Sequence, residues 1–417
     1  MNNKLRLVWI CHLSNPQIKE HIKFSKWSLS AIARRLLGKT SITDFAQWNT
    51  NAIREFEKFE DIELHIVAPF FNISRIQEFK INGVYYHFFH TEDDNIISKL
   101  YYKLSKKIKQ SYPRNSKKII NIIDKINPDI IHLIGAENPH YGESVLYLNN
   151  DKPIIVSLQT LLKDPIVLNN YPSFQEKEAY RVMIETKIIT KVDYIGTNSE
   201  HFKDIIKKEI DSEAKFLNMT LAVGEELYSE ECRKSYDFVY YAANISKAID
   251  FAIEAFAIAK SRLPNITLYV VGGYNLQFMN ELKKRMQQLH LDKSVHFSGP
   301  LSTHKEVLSE IRKAKIALLP LKSDLISSTI REAMANGLPV VTTITPATPQ
   351  LNEKRESILL SEKGDFKAMA ENMCRLLDDE NLAERIRQNA ATTISEKYSN
   401  TAFMNEWREI YYEIAKK

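Results

Sequence analysis

The chain has 417 residues, of which 44% are hydrophobic and 26% are charged, and its formal net charge is +5. This length and composition predict two globular domains and exclude a disordered or fibrous protein. No apolar run approaches the ~20 residues of a membrane-spanning helix, and the first apolar segment suits a strand better than a signal peptide, so we expect a cytoplasmic protein.

The cysteines and the charge limit the kinds of bound partner. Cys11, Cys232 and Cys374 lie far apart and form no CxxC pair, which argues against a structural disulfide or a zinc site. We therefore expect no bound metal. The net charge of +5 is too modest to indicate a nucleic-acid partner.

Strands and helices alternate in the N-terminal half. A buried strand at residues 5–11 is followed by HLSNPQI, which has no glycine and does not match the GxGxxG loop of dinucleotide-binding enzymes. Apolar residues spaced three or four apart between Phe45 and Phe59 predict a helix, with Ser41 or Thr43 as its cap. Further elements are predicted as strands at 62–68, 130–134, 154–158 and near 195, a hairpin over 80–89 that turns at Asn82-Gly83, and a helix over 173–190.

Two stretches, 21–39 and 99–118, concentrate basic and aromatic residues. The second is dense in lysine and tyrosine, which is typical of a solvated helix face. The alternative is a surface that rests on anionic membrane lipid, and it would place the protein at the inner face of the membrane.

The chain turns polar around residues 228–236 and the alternation then restarts, so we place a domain boundary there. Strands are predicted at 238–242, 268–271, 295–297, 316–319 and 340–343, and helices at 249–262, 276–289, 304–314 and 401–415. The sequence predicts an α/β protein with an N-terminal domain over 1–232, a C-terminal domain over 233–398 and a last helix over 399–417.

The segment SDLISSTIREAMANGLPVVTT, residues 323–343, has the clearest functional pattern. A polar loop leads into a short helix that carries Glu332, and Asp324 stands eight residues earlier. A helix N-terminus beside a strand and a carboxylate suits a polyol or a phosphate. Thr329 and Glu332 also have the spacing of a capping box, in which Glu332 would only cap its helix.

Several motifs of the C-terminal half occur in the order typical of one enzyme family. They are FVYYAANISKAIDFAIEAFAIAKSRLPNITLYVVGG, VHFSGPLSTHKEV, AKIALLPLKSD and REAMANGLPVVTT. With them the chain resembles the GT-B glycosyltransferases, in particular retaining family 4 members (glycosyl transferases group 1) that act on bacterial surface polysaccharides. The resemblance implies two doubly wound Rossmann-like domains facing a cleft, with the C-terminal helix packing back toward the N-terminal domain.

The resemblance also implies donor-binding roles for the matching residues. Glu332 matches a glutamate that accepts hydrogen bonds from the ribose hydroxyls of a nucleotide sugar. Lys247 matches a lysine that neutralises the donor diphosphate, and Asp324 stands where the family usually has a glutamate near the donor sugar. The other residues that would meet the donor phosphates are Asn244, Ile326, Ser327, Ser328 and Thr329.

Residues that follow the strands of the N-terminal half complete the candidate site. Gln159-Thr160 stands where many relatives have His-Asp, and the resemblance implies that Gln159 helps to orient the donor sugar. Glu137 and His140 lie in the loop GAENPHYG, at the edge where open α/β sheets hold ligands. His132 lies within the preceding strand and is more consistent with a core histidine.

We therefore expect a retaining, metal-independent glycosyltransferase that moves a sugar from a UDP- or GDP-sugar to a saccharide or polyprenyl-linked saccharide, without a further cofactor. Ala243 and Asn244 replace the family's usual Gly-Arg, His-Asp is absent, and the chain has only 11 glycines. These departures favour an alternative, a catalytically degenerate GT-B protein that serves as a non-catalytic partner of another transferase. A GT-B epimerase or phosphorylase agrees less well with the motifs.

Overall fold

The computed structural model describes residues 4–25, 44–92, 111–168, 176–222, 232–242, 248–273, 276–322 and 327–416. Contacts between Cα atoms divide the chain into two units. Unit 1 comprises Met1–Ala222 and Asn400–Lys417, and unit 2 comprises Val223–Ser399. Most of the two basic stretches lies outside the described residues, as do Ser41 and Thr43.

A mixed sheet forms the centre of unit 1. Its strands are β1 (Leu5–Ile10), β2 (Ile62–Phe70), β3 (Gln77–Ile81), β4 (Val84–His90), β5 (Ile130–Ile134), β6 (Ile154–Ser157), β7 (Tyr194–Gly196) and β8 (Lys215–Leu217). In the described residues the order is β3-β4-β2-β1-β5-β6-β7-β8. β3 and β4 pair antiparallel through the turn at Asn82-Gly83, where both residues have positive φ. The other neighbours are parallel, so β1, β5 and β6 end side by side at one edge.

The helices of unit 1 connect these strands. They are α1 (Pro16–His21), α2 (Gln47–Phe56), α3 (Pro113–Ile126), α4 (Pro139–Gly142), α5 (Pro165–Leu168), α6 (Glu176–Lys191) and α7 (Glu200–Glu209), with a 3₁₀ helix over Glu143–Tyr147. Buried apolar residues on α3 alternate with exposed polar ones, which is the pattern of a helix packed on a sheet.

Unit 2 has a second sheet, in which every described strand is parallel to its neighbours. The strands are β9 (Tyr236–Tyr241), β10 (Leu268–Val271), β11 (Val295–Gly299), β12 (Ala314–Leu318), β13 (Val340–Thr343) and β14 (Leu359–Ser361), in the order β11-β10-β9-β12-β13-β14. The helices are α8 (Ile249–Arg262), α9 (Leu276–Gln288), α10 (His304–Ile311), α11 (Ser328–Ala335), α12 (Phe366–Asp378) and α13 (Glu380–Lys397), with a 3₁₀ helix over Thr348–Asn352. The predicted helix over 249–262 is confirmed as α8, in which Ile249, Ile253 and Phe256 are fully buried and Ala257 is partly buried.

The last helix, α14 (Asn400–Ala415), belongs to unit 1. Trp407 packs edge-on against Trp9 of β1, with ring centroids 5.7 Å apart. The hydroxyl of Tyr412 donates to Oδ2 of Asp61 at 2.8 Å, and Arg408 pairs with the same carboxylate. Unit 1 is therefore made from two separate parts of the chain.

Most predicted elements are confirmed, but the helix of α2 is shorter than predicted. Phe45 pairs with Ser14 in an isolated bridge, and Ala46 has a left-handed φ of 54°, so the helix begins only at Gln47. The helix predicted over 304–314 ends at Ile311, because Ala314 already belongs to β12. Within the described ranges, no helix combines the length and the apolar character needed to cross a membrane.

Candidate functional site

Helix α11 carries Glu332, to which the resemblance assigns the donor ribose. The helix begins at Ser328, and its cap is Ser327, whose Oγ accepts from the backbone N of Thr329 at 3.2 Å. Glu332 therefore lies in the second turn, whereas the glutamate of a capping box stands three residues after the cap. The capping-box interpretation is wrong, so the position of this carboxylate is not explained by helix capping.

The same helix ends in a turn that its sequence specifies. Backbone N of Gly337 donates to O of Met334 at 3.1 Å, and N of Leu338 donates to O of Ala333 at 3.0 Å. This pair of bonds defines a Schellman motif. Gly337 has a φ of +70°, which glycine adopts without strain. The NGLP stretch therefore stops the helix and leads the chain into β13.

Glu332 is buried, with 6% of its surface exposed, and two other elements approach it. Nε2 of His304, the first residue of α10, lies 3.1 Å from Oε1 of Glu332. Tyr241, at the end of β9, donates its hydroxyl to O of Thr329 at 2.6 Å. Burial, with the charge on Glu332, raises the pKa of Tyr241 well above its usual value, so the phenol remains a donor. Glu332 thus lies at the carboxyl edge of the unit 2 sheet, where α/β domains bind ligands.

Four predicted donor-site residues lie outside the described residues: Asn244, Lys247, Asp324 and Ile326. The described residues that flank their two loops do meet. Nζ of Lys322 lies 2.6 Å from Oδ2 of Asp250 and 5.1 Å from the ring centroid of Phe251. The described start of α8 and the described residue Lys322 therefore lie close together.

Three neighbouring strands of unit 1 deliver polar side chains to one edge of its sheet. His12 follows β1, Glu137 follows β5 and Gln159 follows β6. In the orientation that satisfies both neighbours, Nε2 of Gln159 donates to Oε1 of Glu137 at 3.1 Å, and its Oε1 accepts from Nε1 of Trp48 at 3.0 Å. The structure thus brings the predicted Glu137 and Gln159 into direct contact.

Glu137 titrates unusually for a carboxyl group. Its Oε1 accepts from Nδ2 of Asn138 at 2.8 Å, and Nε of Arg181 donates to its backbone O at 2.9 Å. Burial raises the pKa of Glu137 to about 7. A carboxyl group with a pKa near neutral can take up or release a proton under physiological conditions.

His140 lies beside an aromatic group at the same edge. Its ring centroid is 4.9 Å from that of Tyr141 and 6.1 Å from that of His12. Nδ1 of His12 lies 3.0 Å from the Tyr141 hydroxyl, and burial lowers the pKa of His12 to about 4. His12 is therefore neutral at physiological pH. His12 and Tyr141 thus offer uncharged hydrogen-bonding atoms, which suit a hydroxyl-rich ligand.

His132 is a core histidine, as predicted from its position within β5. Its Nε2 lies 2.7 Å from Oγ of Ser157, and its Nδ1 meets the hydroxyl of Tyr411. Burial lowers the pKa of this imidazole to about 3. Both ring nitrogens have partners within unit 1, so His132 stabilises the core.

Four residues of these clusters are not predicted from the sequence: His12, Trp48, Glu185 and His304. Oε2 of Glu185 accepts from the backbone N of Leu162 at 2.7 Å, and burial, with the charge on Glu137, raises the pKa of Glu185 to about 8. Glu185 lies among the apolar residues of α6, and an acid at such a position is the sequence feature that could have identified it. The pairing of His304 with Glu332 has no local signal, because the two residues come from different helices.

Residues 230–393, which include α11 and Glu332, match the family model described as Glycosyl transferases group 1. The chain resembles the group 1 glycosyltransferases over this segment. The capsular polysaccharide biosynthesis glycosyltransferase CapM of Staphylococcus aureus is 27% identical to it over 176 residues, which are 41% of this chain and 44% of CapM. The N-acetyl-alpha-D-glucosaminyl L-malate synthase of Bacillus anthracis is 23% identical over 308 residues, 71% of this chain and 78% of the synthase. The match thus spans less than half of CapM but most of the synthase.

A solved structure extends the likeness to the complete fold. The sucrose-phosphate synthase of Thermosynechococcus elongatus superposes with a TM-score of 0.70 over 99% of both chains, at 15% sequence identity. Such low identity shows the fold alone. The chain has the GT-B fold, built from two Rossmann-like domains, as the resemblance predicts.

Proposed function

We propose that this protein is a glycosyltransferase that moves a sugar, with retention of configuration, from a nucleotide diphosphate sugar to a saccharide or lipid-linked saccharide in surface polysaccharide synthesis. Glu332 carries the proposal, because it is buried at the carboxyl edge of unit 2 within the segment that matches the family. A carboxylate can accept hydrogen bonds from both vicinal hydroxyls of a ribose. The name of CapM, a protein of capsular polysaccharide biosynthesis, supports the acceptor class.

The donor diphosphate requires positive charge and backbone donors. In our proposal, the start of α11 supplies amides from Ser327 and Ser328, where the helix dipole favours an anion, while the amide of Thr329 stays on the Ser327 cap. Lys247 neutralises the charge that grows on the departing diphosphate. In the same proposal, Asn244 and Ile326 contact phosphate, and Asp324 contacts the sugar.

The proposal also assigns roles to residues of unit 1. Gln159 orients the donor sugar, and the loop that carries Glu137 and His140 borders the substrate. The acceptor oxygen attacks the anomeric carbon on the face from which the diphosphate departs. The bond to the phosphate oxygen breaks, and the departing phosphate takes the proton of the acceptor hydroxyl. This course retains the configuration of the sugar and needs no base from the protein.

Thermal unfolding in the presence of UDP, GDP, ADP and their sugars tests the donor site. A ligand that binds only the folded state at 100 times its Kd raises the unfolding free energy by about 2.7 kcal/mol. We expect one nucleotide series to stabilise the protein. In Glu332→Ala, loss of hydrogen bonds to a charged group should weaken that nucleotide by about 10- to 100-fold.

Glu371→Ala is the matched control, because Glu371 is an exposed glutamate of α12 in the same unit. Wild-type nucleotide affinity in Glu332→Ala would refute the ribose contact, and no response of the wild type to any nucleotide would refute the donor site. Stabilisation by a nucleotide sugar without any release of nucleotide would instead agree with a non-catalytic partner.

A further inference from the structure

The side-chain amide of Gln159 has one favourable orientation. With Nε2 toward Glu137 and Oε1 toward Trp48, it forms hydrogen bonds of 3.1 and 3.0 Å. The reverse orientation would gain a long contact of 3.4 Å from Nε2 to the backbone O of Ile134. It would also set oxygen against the carboxylate and nitrogen against the indole N–H. Facing acceptors or facing donors repel one another, so the first orientation is favoured.

The backbone before Glu137 holds its carboxylate against this amide. Gly135 has a φ of +88°, and a Cβ at this position would lie 2.8 Å from both carboxylate oxygens of Glu137 and 3.0 Å from Cδ of Gln159. A glycine is therefore required where the two side chains meet. Asn138, the next residue along the chain, also donates to Oε1 of Glu137. The carboxylate is thus held where it can accept a hydrogen bond from Nε2 of Gln159.

Charged and titratable groups face Glu137 from two elements. On α6, Arg181 donates to its backbone O, and the charge of the buried Glu185 opposes that of Glu137. On α4, burial and the charge on Glu137 together raise the pKa of the Tyr141 phenol. Burial outweighs Arg181 and raises the pKa of Glu137 to about 7. The ionised carboxylate only accepts hydrogen bonds and so requires an N–H from Gln159, whereas the protonated form can donate to an oxygen.

We propose that Glu137 and Trp48 are positioning residues that present Gln159 to the substrate in a single orientation. An amide has two N–H donors and two acceptor lone pairs, and these neighbours use one of each. Gln159 is only half-buried, so the remaining N–H and lone pair meet two sugar hydroxyls in a fixed order. The inference rests on the proposed function, in which a sugar is the group that Gln159 meets.

The indole N–H signals of the ¹⁵N-labelled full chain test this arrangement, since the protein has four tryptophans. Trp48→Phe identifies the signal of Trp48. In the wild type we expect that signal to move with pH, with a midpoint near 7, because protonation of Glu137 releases the amide of Gln159. The movement should vanish in Glu137→Gln and Gln159→Leu. It should persist in Gln388→Leu, which removes an amide bonded to Glu384 on the surface of unit 2.

Release of nucleotide from UDP-glucose, UDP-N-acetylglucosamine, GDP-glucose and ADP-glucose gives the functional readout. Trp48→Phe should misplace Gln159 and thereby lower kcat by about 10- to 100-fold. The stabilisation of this variant by the free nucleotide should stay at the wild-type level. In the wild type, kcat should rise as Glu137 ionises, and this dependence should be lost in Glu137→Gln.

An unchanged Trp48 signal in Gln159→Leu, or a pH shift that persists in Glu137→Gln, would overturn the positioning role. An unchanged kcat in Trp48→Phe would also overturn it. These failures differ from failure of the proposed function, in which no nucleotide stabilises the wild type. The indole signals still decide whether the three side chains are coupled in that case.

Discussion

Two buried glutamates of unit 1 make its stability depend on pH. Burial raises the pKa of Glu137 to about 7, and burial with the charge on Glu137 raises the pKa of Glu185 to about 8. Both values lie above the ordinary value of 4.5. The folded state therefore binds more protons than the unfolded state between these values. The stabilising contribution is fully present below about pH 4.5 and is lost as pH rises through the folded-state pKa values.

Glu185→Gln should remove much of this dependence. The glutamine keeps an oxygen for the backbone N of Leu162, but it carries no charge at high pH. We expect the variant to match the wild type near pH 5 and to be more stable at pH 9 by on the order of 1–3 kcal/mol. Urea denaturation at the two pH values measures the difference. Glu178→Gln on the same helix is the control, and an equal gain there, or no gain at position 185, would contradict the assignment.

At the scale of single residues, the sequence identifies candidates but not their partners. Glu137 and His140 could be chosen because they follow a buried strand, and the edge of the sheet where strands end is set by topology. The sequence does not single out Trp48, since its spacing fits an ordinary apolar helix position. The hydrogen bond from its indole N–H to Gln159 is apparent only in the structure. Hydrogen bonds between residues far apart in sequence are a property of the folded chain.

The elements were predicted well where apolar residues are continuous and less well where backbone geometry decides. The strands β10 and β13 and the helix α8 have the predicted bounds, because short β-branched runs and one apolar helix face mark them. The start of α2 was misplaced, since the left-handed Ala46 and the bridge of Phe45 to Ser14 leave no pattern of apolar spacing. The elements β14, α12 and α13 were not predicted.

Gly337 is the residue on which the end of α11 depends. Its φ of +70° is unfavourable for alanine, and a Cβ there would meet nothing closer than Cδ of Arg387 at 3.8 Å. The cost of Gly337→Ala is therefore one of backbone conformation, about 1–2 kcal/mol. Chemical denaturation of unit 2 measures it. Gly273→Ala is the control, because Gly273 does not have a left-handed φ and its Cβ would make only an ordinary contact with Pro300.

If Gly273→Ala lowered the unfolding free energy as much as Gly337→Ala, the Schellman turn would not be the cause of the loss. The nucleotide affinity of Gly337→Ala adds a second measurement. If the turn fixes the length of α11 without moving Glu332 in its second turn, affinity should remain close to wild type while stability falls.

At the scale of the molecule, the chain leaves unit 1, builds unit 2 and then returns to complete unit 1. The returning helix supplies partners that the first part lacks. Trp407 packs on Trp9 and His132, and the Tyr411 hydroxyl meets Nδ1 of His132. The apolar spacing of Phe403, Trp407, Ile410 and Ile414 predicts that this helix docks on existing structure. It does not predict that a core histidine of β5 lies beneath it.

Trp407→Ala tests whether unit 1 depends on its last helix. The side chain is almost fully buried, so its removal should lower the unfolding free energy of unit 1 by about 3–5 kcal/mol. Amide hydrogen exchange separates the units: protection should fall in β1 and β5 but stay at the wild-type level in β9 and β10. Glu413→Ala, an exposed change on the same helix, should stay within about 0.5 kcal/mol of the wild type. Equal loss of protection in both sheets would mean that α14 stabilises more than the unit on which it packs.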